Sequence, residues 1–303
     1  ENSGRGTVKG FFALILALEV FIIGVFTAND LFLFYVFFEA MLFPIYFLIG
    51  RFGGPQRAYA AMKFLLYSLV GGLFMLAALI GLYVVSSREL GQGTFDYVTL
   101  TSLNIDPATQ KMLFLGFFFA FAVKAPMVPF HTWLPDATAE ATPGTSTLLV
   151  GVLDKVGTFG MLHFLLPIFP EASKFYAPVI IVLAVISIFY GALLAIGQTD
   201  VMRLVAFTSI SHFGFIVLGI FVMTSQGLSG SSFYMVNHGF STGALFLVMG
   251  YLVSRRGSKR IADFGGVQKV APILTGVFLI SGLSGLALPG MSSFISEFLV
   301  LAG

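Results

Sequence analysis

Apolar residues run through this chain in long blocks and not in alternation. From Val8 to Thr27, Leu31 to Gly50, Tyr59 to Ser87, Lys111 to Lys124 and Ser146 to Ile168 the residues are mostly Phe, Leu, Ile, Val, Ala and Gly. Short segments bearing Asp, Pro, Gly or charge separate these blocks. Further blocks follow at Lys174 to Gly197, Met202 to Thr224 and Ser231 to Ser254, and a last apolar region from Val267 onward is interrupted at Leu288, Pro289 and Gly290. A hydrocarbon core of about 30 Å takes about 20 apolar residues per helix. Blocks of this length therefore predict membrane-spanning helices, and the expected fold class is all-α, a polytopic transmembrane helix bundle.

Composition sharpens that picture. The chain is 57% hydrophobic and 10% charged, with mean hydropathy +0.97, well outside the balance of soluble domains. Its net charge of +2 rests on a sparse set of Lys and Arg, which makes no basic patch and predicts no nucleic-acid partner. With no cysteine, disulfides, Cys-ligated iron-sulfur clusters and thiolate zinc sites are excluded. The opening ENSGRGTVKG has no initiator Met, and the apolar run after it lacks a small-residue cleavage site. No signal peptide is expected, and the chain reads as one lacking its natural start.

Loop charge orients the spans, because Lys and Arg collect on the cytoplasmic side of short loops. Basic residues fall at Arg5 and Lys9, at Arg51, Arg57 and Lys63, at Arg203, and at Arg255, Arg256, Lys259, Arg260 and Lys269. These are alternate loops. The segments between them, Thr27 to Asp30, Arg88 to Gln110, Pro170 to Lys174 and Thr224 to Gly230, carry few basic residues or a slight acidic excess. The start of the chain is accordingly predicted cytoplasmic, in a bacterial plasma membrane. Alternation makes the loop Ala125 to Thr145 cytoplasmic as well, although it holds only His131, Asp136 and Glu140 and its charge neither supports nor opposes that assignment.

Proline breaks two spans, at Pro126 and Pro129 in KAPMVPFHTWLP and at Pro289 in LSGLALPGMSSF. Grouping the spans by five places each break in the fourth span of its group. Two consecutive odd-numbered units have opposite orientation, so the pattern predicts inverted repeats at residues 8–169 and 174–303, with the Pro-broken helices marking an ion path. The second unit is expected to be truncated before its last helix.

An ionisable residue near a helix centre costs about 2.5–3.5 kcal/mol on insertion scales. Glu19, Glu39, Lys124, Asp154, Lys155, His212, His238 and Glu297 all stand in or beside predicted spans. Glu39, in YVFFEAMLFP, precedes Pro44, whose ring frees a backbone carbonyl. Lys124, at the end of FFFAFAVK beside the first break, is the candidate partner of Glu39. It reads either as a proton carrier switched by its partner or as a lysine snorkelling to the interface. Lys155 follows Asp154 in VGVLDKVGTFG; adjacent helical residues point about 100° apart and do not pair by default. His212 in TSISHFGF and His238 in MVNHGFS read either as a relay, their unperturbed pKa being near 6.5, or as neutral hydrogen-bonded core residues. Glu297, beyond Pro289, reads as an exit group. Neither metal-ligand spacing nor a nucleotide-binding glycine loop is present.

The stretches FFEAMLFPIYFLIG, FAVKAPMVPFHTWLPDATAEATPGTSTLLVGVLDKVGTFGMLHF, DVMRLVAFTSISHFGFIVLGI and LALPGMSSFISEFLVL resemble the antiporter-like subunits of respiratory complex I. FEAMLFP and NHGFSTGALFL favour the subunit M branch over subunits L and N. The resemblance implies a fold of about fourteen helices with two inverted five-helix units, each with a broken helix. It places Glu39 on the glutamate of the first half-channel, Lys124 on its broken-helix lysine and Lys155 on the connecting lysine. His212 and His238 fall on the central polar axis, and Glu297 on the terminal acid. Asp154 departs from the apolar residue usual before that connecting lysine.

The function so implied is a proton-translocating membrane subunit of NADH:quinone oxidoreductase, a translocase subunit with no redox site in this chain. FMN, iron-sulfur clusters and quinone are expected on other subunits. The implied partners are the other membrane subunits, especially L and N, together with lipid. Alternatives are an Mrp-type monovalent cation/proton antiporter subunit, a membrane subunit of an energy-converting hydrogenase, and a purely structural scaffold subunit.

Overall fold

In the computed structural model the described residues are 7–303; Arg5, used above for orientation, lies outside them. Among them there is no strand, only two isolated bridges, and seven helices are long and apolar enough to cross a membrane. In chain order the main helices are α1 (Val8–Thr27), α2 (Leu31–Phe52), α3 (Arg57–Leu90), α4 (Pro107–Lys124), α5 (Trp133–Glu140) and α6 (Pro143–Ile168). They continue with α7 (Pro170–Ile196), α8 (Val201–Phe221), α9 (Ser225–Arg256), α10 (Pro272–Gly285) and α11 (Ser292–Ala302).

The helix starts are fixed by short polar side chains. Thr7, Asp30, Asp106, Thr142, Asp200 and Thr224 each accept from an amide of the first turn, and Pro107 and Pro143 then supply a first residue with no amide to satisfy. The Thr109 hydroxyl and amide at α4 hold the Asp106 carboxyl below the ordinary carboxylate range. Gly91 and Gly257 close α3 and α9 in the left-handed conformation, at φ 77° and 72°, which glycine adopts without Cβ strain.

The predicted breaks are present. α4 ends at Lys124 and α5 begins at Trp133; α10 ends at Gly285 and α11 begins at Ser292, with Ala287 and Gly290 at positive φ between them. α2 is also interrupted, at Met41, because Pro44 can neither donate to the Ala40 carbonyl nor clear it sterically. α6 carries two π-helical turns, Leu149–Leu153 and Met161–Leu165, which the apolar pattern does not announce.

α8 is the central helix, buried along most of its length, whereas α1 and α7 leave Leu16, Val20, Phe189 and Leu193 on the outer surface. The basic loops converge on one end of the bundle. There Asp136 of α5 meets Lys63 and Arg203, and the Gly54 amide donates to the Glu140 carbonyl. The loop left undecided by its charge thus joins the basic end. At the opposite end Asp30 bridges Asp96, and the Glu171 amide donates to Gln110 Oε1. The two isolated bridges occupy corresponding places. Asp30, capping α2, pairs with the segment after α3; Asp200, capping α8, pairs with the segment after α9. Each is closed by reciprocal amide bonds, Leu31 to Phe95 and Tyr97 to Asn29 in one case, Val201 to Lys259 and Ile261 to Thr199 in the other.

Candidate functional site

Glu39 stands in the last turn of α2 before the Met41 interruption. Its carboxyl lies on the flat face of α3 made by Gly72: a Cβ there would fall 1.7 Å from Glu39 Oε1. That oxygen is buried without a hydrogen-bond partner. Lys124, the last residue of α4, is fully buried, so the snorkelling reading does not hold. Its ammonium sits 5.2 Å from the ring centroids of Phe38 and of Phe64 and has no hydrogen-bond partner. Glu39 and Lys124 form no ion pair with each other, and neither Glu39 Oε1 nor Lys124 Nζ has a hydrogen-bond partner. Phe38 and Phe64 give the cation a π face in place of a carboxylate.

The next group is built on the first π turn of α6. The Asp154 amide donates to Leu149 O at 3.1 Å, one residue further back than in a regular α-helix, which releases the Val150 carbonyl. Lys155 Nζ donates to that carbonyl and lies 2.7 Å from Nδ1 of His238. His238 Nε2 is 3.2 Å from Ser209 Oγ on α8. Asp154 is fully buried, and neither of its oxygens has a hydrogen-bond partner; as the 100° offset predicts, it does not clasp Lys155.

From His238 the polar line continues across α8 and α9. The His212 and His238 ring centroids are 5.3 Å apart, and His212 is 5.8 Å from the Tyr234 ring. The Tyr234 hydroxyl donates to Glu297 Oε1 on α11. Asn237 Nδ2 donates to Ser292 O at 2.7 Å, and Ser284 and Ser292 hydroxyls pair at 2.7 Å, pinning the second break to α9.

The predicted residues therefore form three adjoining groups: Glu39 with Lys124, Lys155 with both histidines, and Glu297 reached through Tyr234. Glu19 is not among them, since it points outward from α1. Sequence reasoning missed Tyr234, although it precedes His238 by one helical turn, and Ser209, which stands one turn before His212. It also missed the joint role of Lys63, Asp136 and Arg203, which are 73 and 67 residues apart in pairs and carry no motif. Among the described residues no group of His, Cys, Asp or Glu is arranged to hold a metal ion.

A family model described as NADH:quinone oxidoreductase/Mrp antiporter, transmembrane, matches residues 28–303. The chain is 59% identical, over its whole length and 56% of the relative's, to NADH-quinone oxidoreductase subunit M of Mycobacterium tuberculosis. Its structure superposes with a TM-score of 0.91 on a chain of respiratory complex I from Thermus thermophilus, at 37% identity, covering 96% of this chain and 62% of that one. The Mrp complex from Dietzia sp. gives a TM-score of 0.87 at 27% identity, covering 95% and 54%. The chain thus spans less than two thirds of the length of each.

Proposed function

The chain belongs to the NADH:quinone oxidoreductase/Mrp antiporter transmembrane family, and from that premise we propose that it translocates protons as a membrane subunit of an NADH:quinone oxidoreductase in a bacterial plasma membrane. Electron transfer takes place in other subunits, and antiporter-like subunits of the L and N kind are its neighbours. The observation that carries the reading is the buried contact of Lys155 with His238, 2.7 Å from Nζ to Nδ1.

That contact suits proton transfer. A lysine ammonium donates to a neutral imidazole Nδ1; once the proton has crossed, the amine is neutral and the imidazolium offers its Nε2 proton on the far side. One positive charge moves while none is added, which matters where an unpaired charge is costly. On one flank Glu39 and Lys124 are opposite charges held apart, so a small shift in either changes what the other stabilises. On the other flank Tyr234 presents Glu297, the exit acid. We take residues 8–169 and 174–303 as the two inverted five-helix units; the matched bridges at Asp30 and Asp200, at opposite ends of the bundle, support this division.

The test is NADH-driven proton pumping by membrane vesicles carrying Lys124→Ala, with assembly followed on a native gel. Assembled complex that no longer pumps or couples NADH oxidation to quinone supports the path; pumping at the wild-type rate makes Lys124 structural. Likeness to the Mrp complex keeps one alternative in view, and sodium export in the same vesicles would favour it.

A further inference from the structure

α5 spans Trp133–Glu140 and is eight residues long, with an irregular segment before it and a Thr-Pro helix start after it. Helices this short do not hold themselves in place, so the position of α5 is set by its anchors. Asp136 is the main one. Its Oδ2 is 2.7 Å from Lys63 Nζ of α3 and its Oδ1 2.6 Å from Arg203 Nη1 of α8. The three side chains are 20–35% exposed, and no other acidic residue pairs with either cation among the described residues.

The remaining anchors act on the same short rod. Lys259 Nζ donates to the Ala139 carbonyl, the Gln56 amide to Glu140 Oε2 at 2.8 Å, and the Tyr67 hydroxyl pairs with Thr132 Oγ1 at 2.8 Å. Beside Thr132, at the start of α5, the Trp133 indole N–H donates to the Val123 carbonyl at 2.9 Å, and Val123 directly precedes Lys124. Trp133 is fully buried and packs on Phe64, the ring that also faces the Lys124 ammonium.

We propose that Asp136 is a positioning residue for Lys124: by binding one cation from α3 and one from α8 it fixes α5, and through the Trp133–Val123 bond α5 fixes the end of α4 from which Lys124 projects. This rests on the reading of Lys124 as part of a proton path. Neutralising Asp136 leaves Lys63 and Arg203 facing each other as like charges, which pushes α3 and α8 apart at the point where α5 is held. Displacement of a reacting group by about 1 Å is enough to cost up to about 100-fold in rate.

The experiment uses the full-length protein in its assembled complex, in vesicles driven by NADH, and reads assembly, pumping rate and the pH profile of pumping. Asp136→Asn and Trp133→Phe are each expected to assemble, to pump about tenfold or more slowly and to displace the pH profile. Asp136→Glu restores both readouts, and Lys63→Met, which removes the like-charge repulsion, brings Asp136→Asn part of the way back. Assembled Asp136→Asn with the wild-type rate and profile overturns the proposal. So does a loss of pumping that only follows the amount of complex, with an unmoved profile. If Asp136→Asn fails to assemble, Lys63→Gln and Arg203→Gln take its place; displaced profiles support the proposal and wild-type profiles overturn it. A Lys124→Ala complex that pumps normally removes the underlying path, whereas a dead Lys124→Ala beside a normal Asp136→Asn removes the positioning role alone.

Discussion

The carboxyl of Glu39 rests where any side chain on Gly72 would be, and this gives a way to move the acid without changing any charge. The obstructing atoms are the end of a flexible side chain: the added Cβ falls 1.7 Å from Oε1 and 2.5 Å from Cδ. Glu39 can therefore swing aside while the helices stay packed. Gly72→Ala is expected to leave assembly intact and to lower NADH-driven pumping toward the level of Glu39→Ala; wild-type pumping would mean that the location of this carboxyl is immaterial. At this scale the sequence was informative wherever burial makes charge expensive, which is why Glu39, Lys124, Lys155 and Glu297 stood out. It was silent on contact. The interaction of Lys155 with His238 depends on which carbonyl a π turn releases, and Tyr234 carries no cost that would single it out among ten tyrosines.

Among the elements, the broken helices were legible because proline removes a donor and crowds the preceding turn, and both breaks fall where Pro126, Pro129 and Pro289 put them. The π turns of α6 were not, since no proline or break in the apolar pattern marks them; they lie packed against α4 and α9. Gly157 lies between these turns against the end of α4; a Cβ there would fall 2.6 Å from the Phe121 carbonyl oxygen and 2.7 Å from the Ala125 amide. Both are backbone atoms and cannot rotate away. Gly157→Ala is expected to force α6 from α4 and to destabilise the protein by about 1–3 kcal/mol, the usual cost of overpacking. It is checked by the thermal unfolding of the detergent-solubilised protein, and an unchanged midpoint would show that the two helices separate freely. The contrast with Gly72 is one of mechanism: there a substitution displaces chemistry, here it displaces a helix.

For the molecule as a whole, the alternation of basic loops foretold two chemically different ends, and the structure gathers Lys63, Arg203 and Lys259 at one of them around α5. Alternation puts the loop Ala125 to Thr145 at the same end, but its charge did not say so, because it carries no Lys or Arg; its acids instead bind groups from elsewhere, Asp136 pairing with Lys63 and Arg203 and Glu140 accepting from the Gln56 amide. The positive-inside rule predicts that the basic end faces the cytoplasm, and this is open to a direct measurement, since this segment has no cysteine of its own. Gly265 has open space around it and lies between Arg260 and Lys269 at the basic end; Ser102 is exposed at the other. In an otherwise cysteine-free full-length protein, Gly265→Cys is expected to react with a membrane-impermeant maleimide only in inside-out vesicles, and Ser102→Cys only in right-side-out spheroplasts. The reverse pattern would invert the molecule and place the Lys63, Asp136 and Arg203 cluster on the outer face, against the orientation that the basic loops predict.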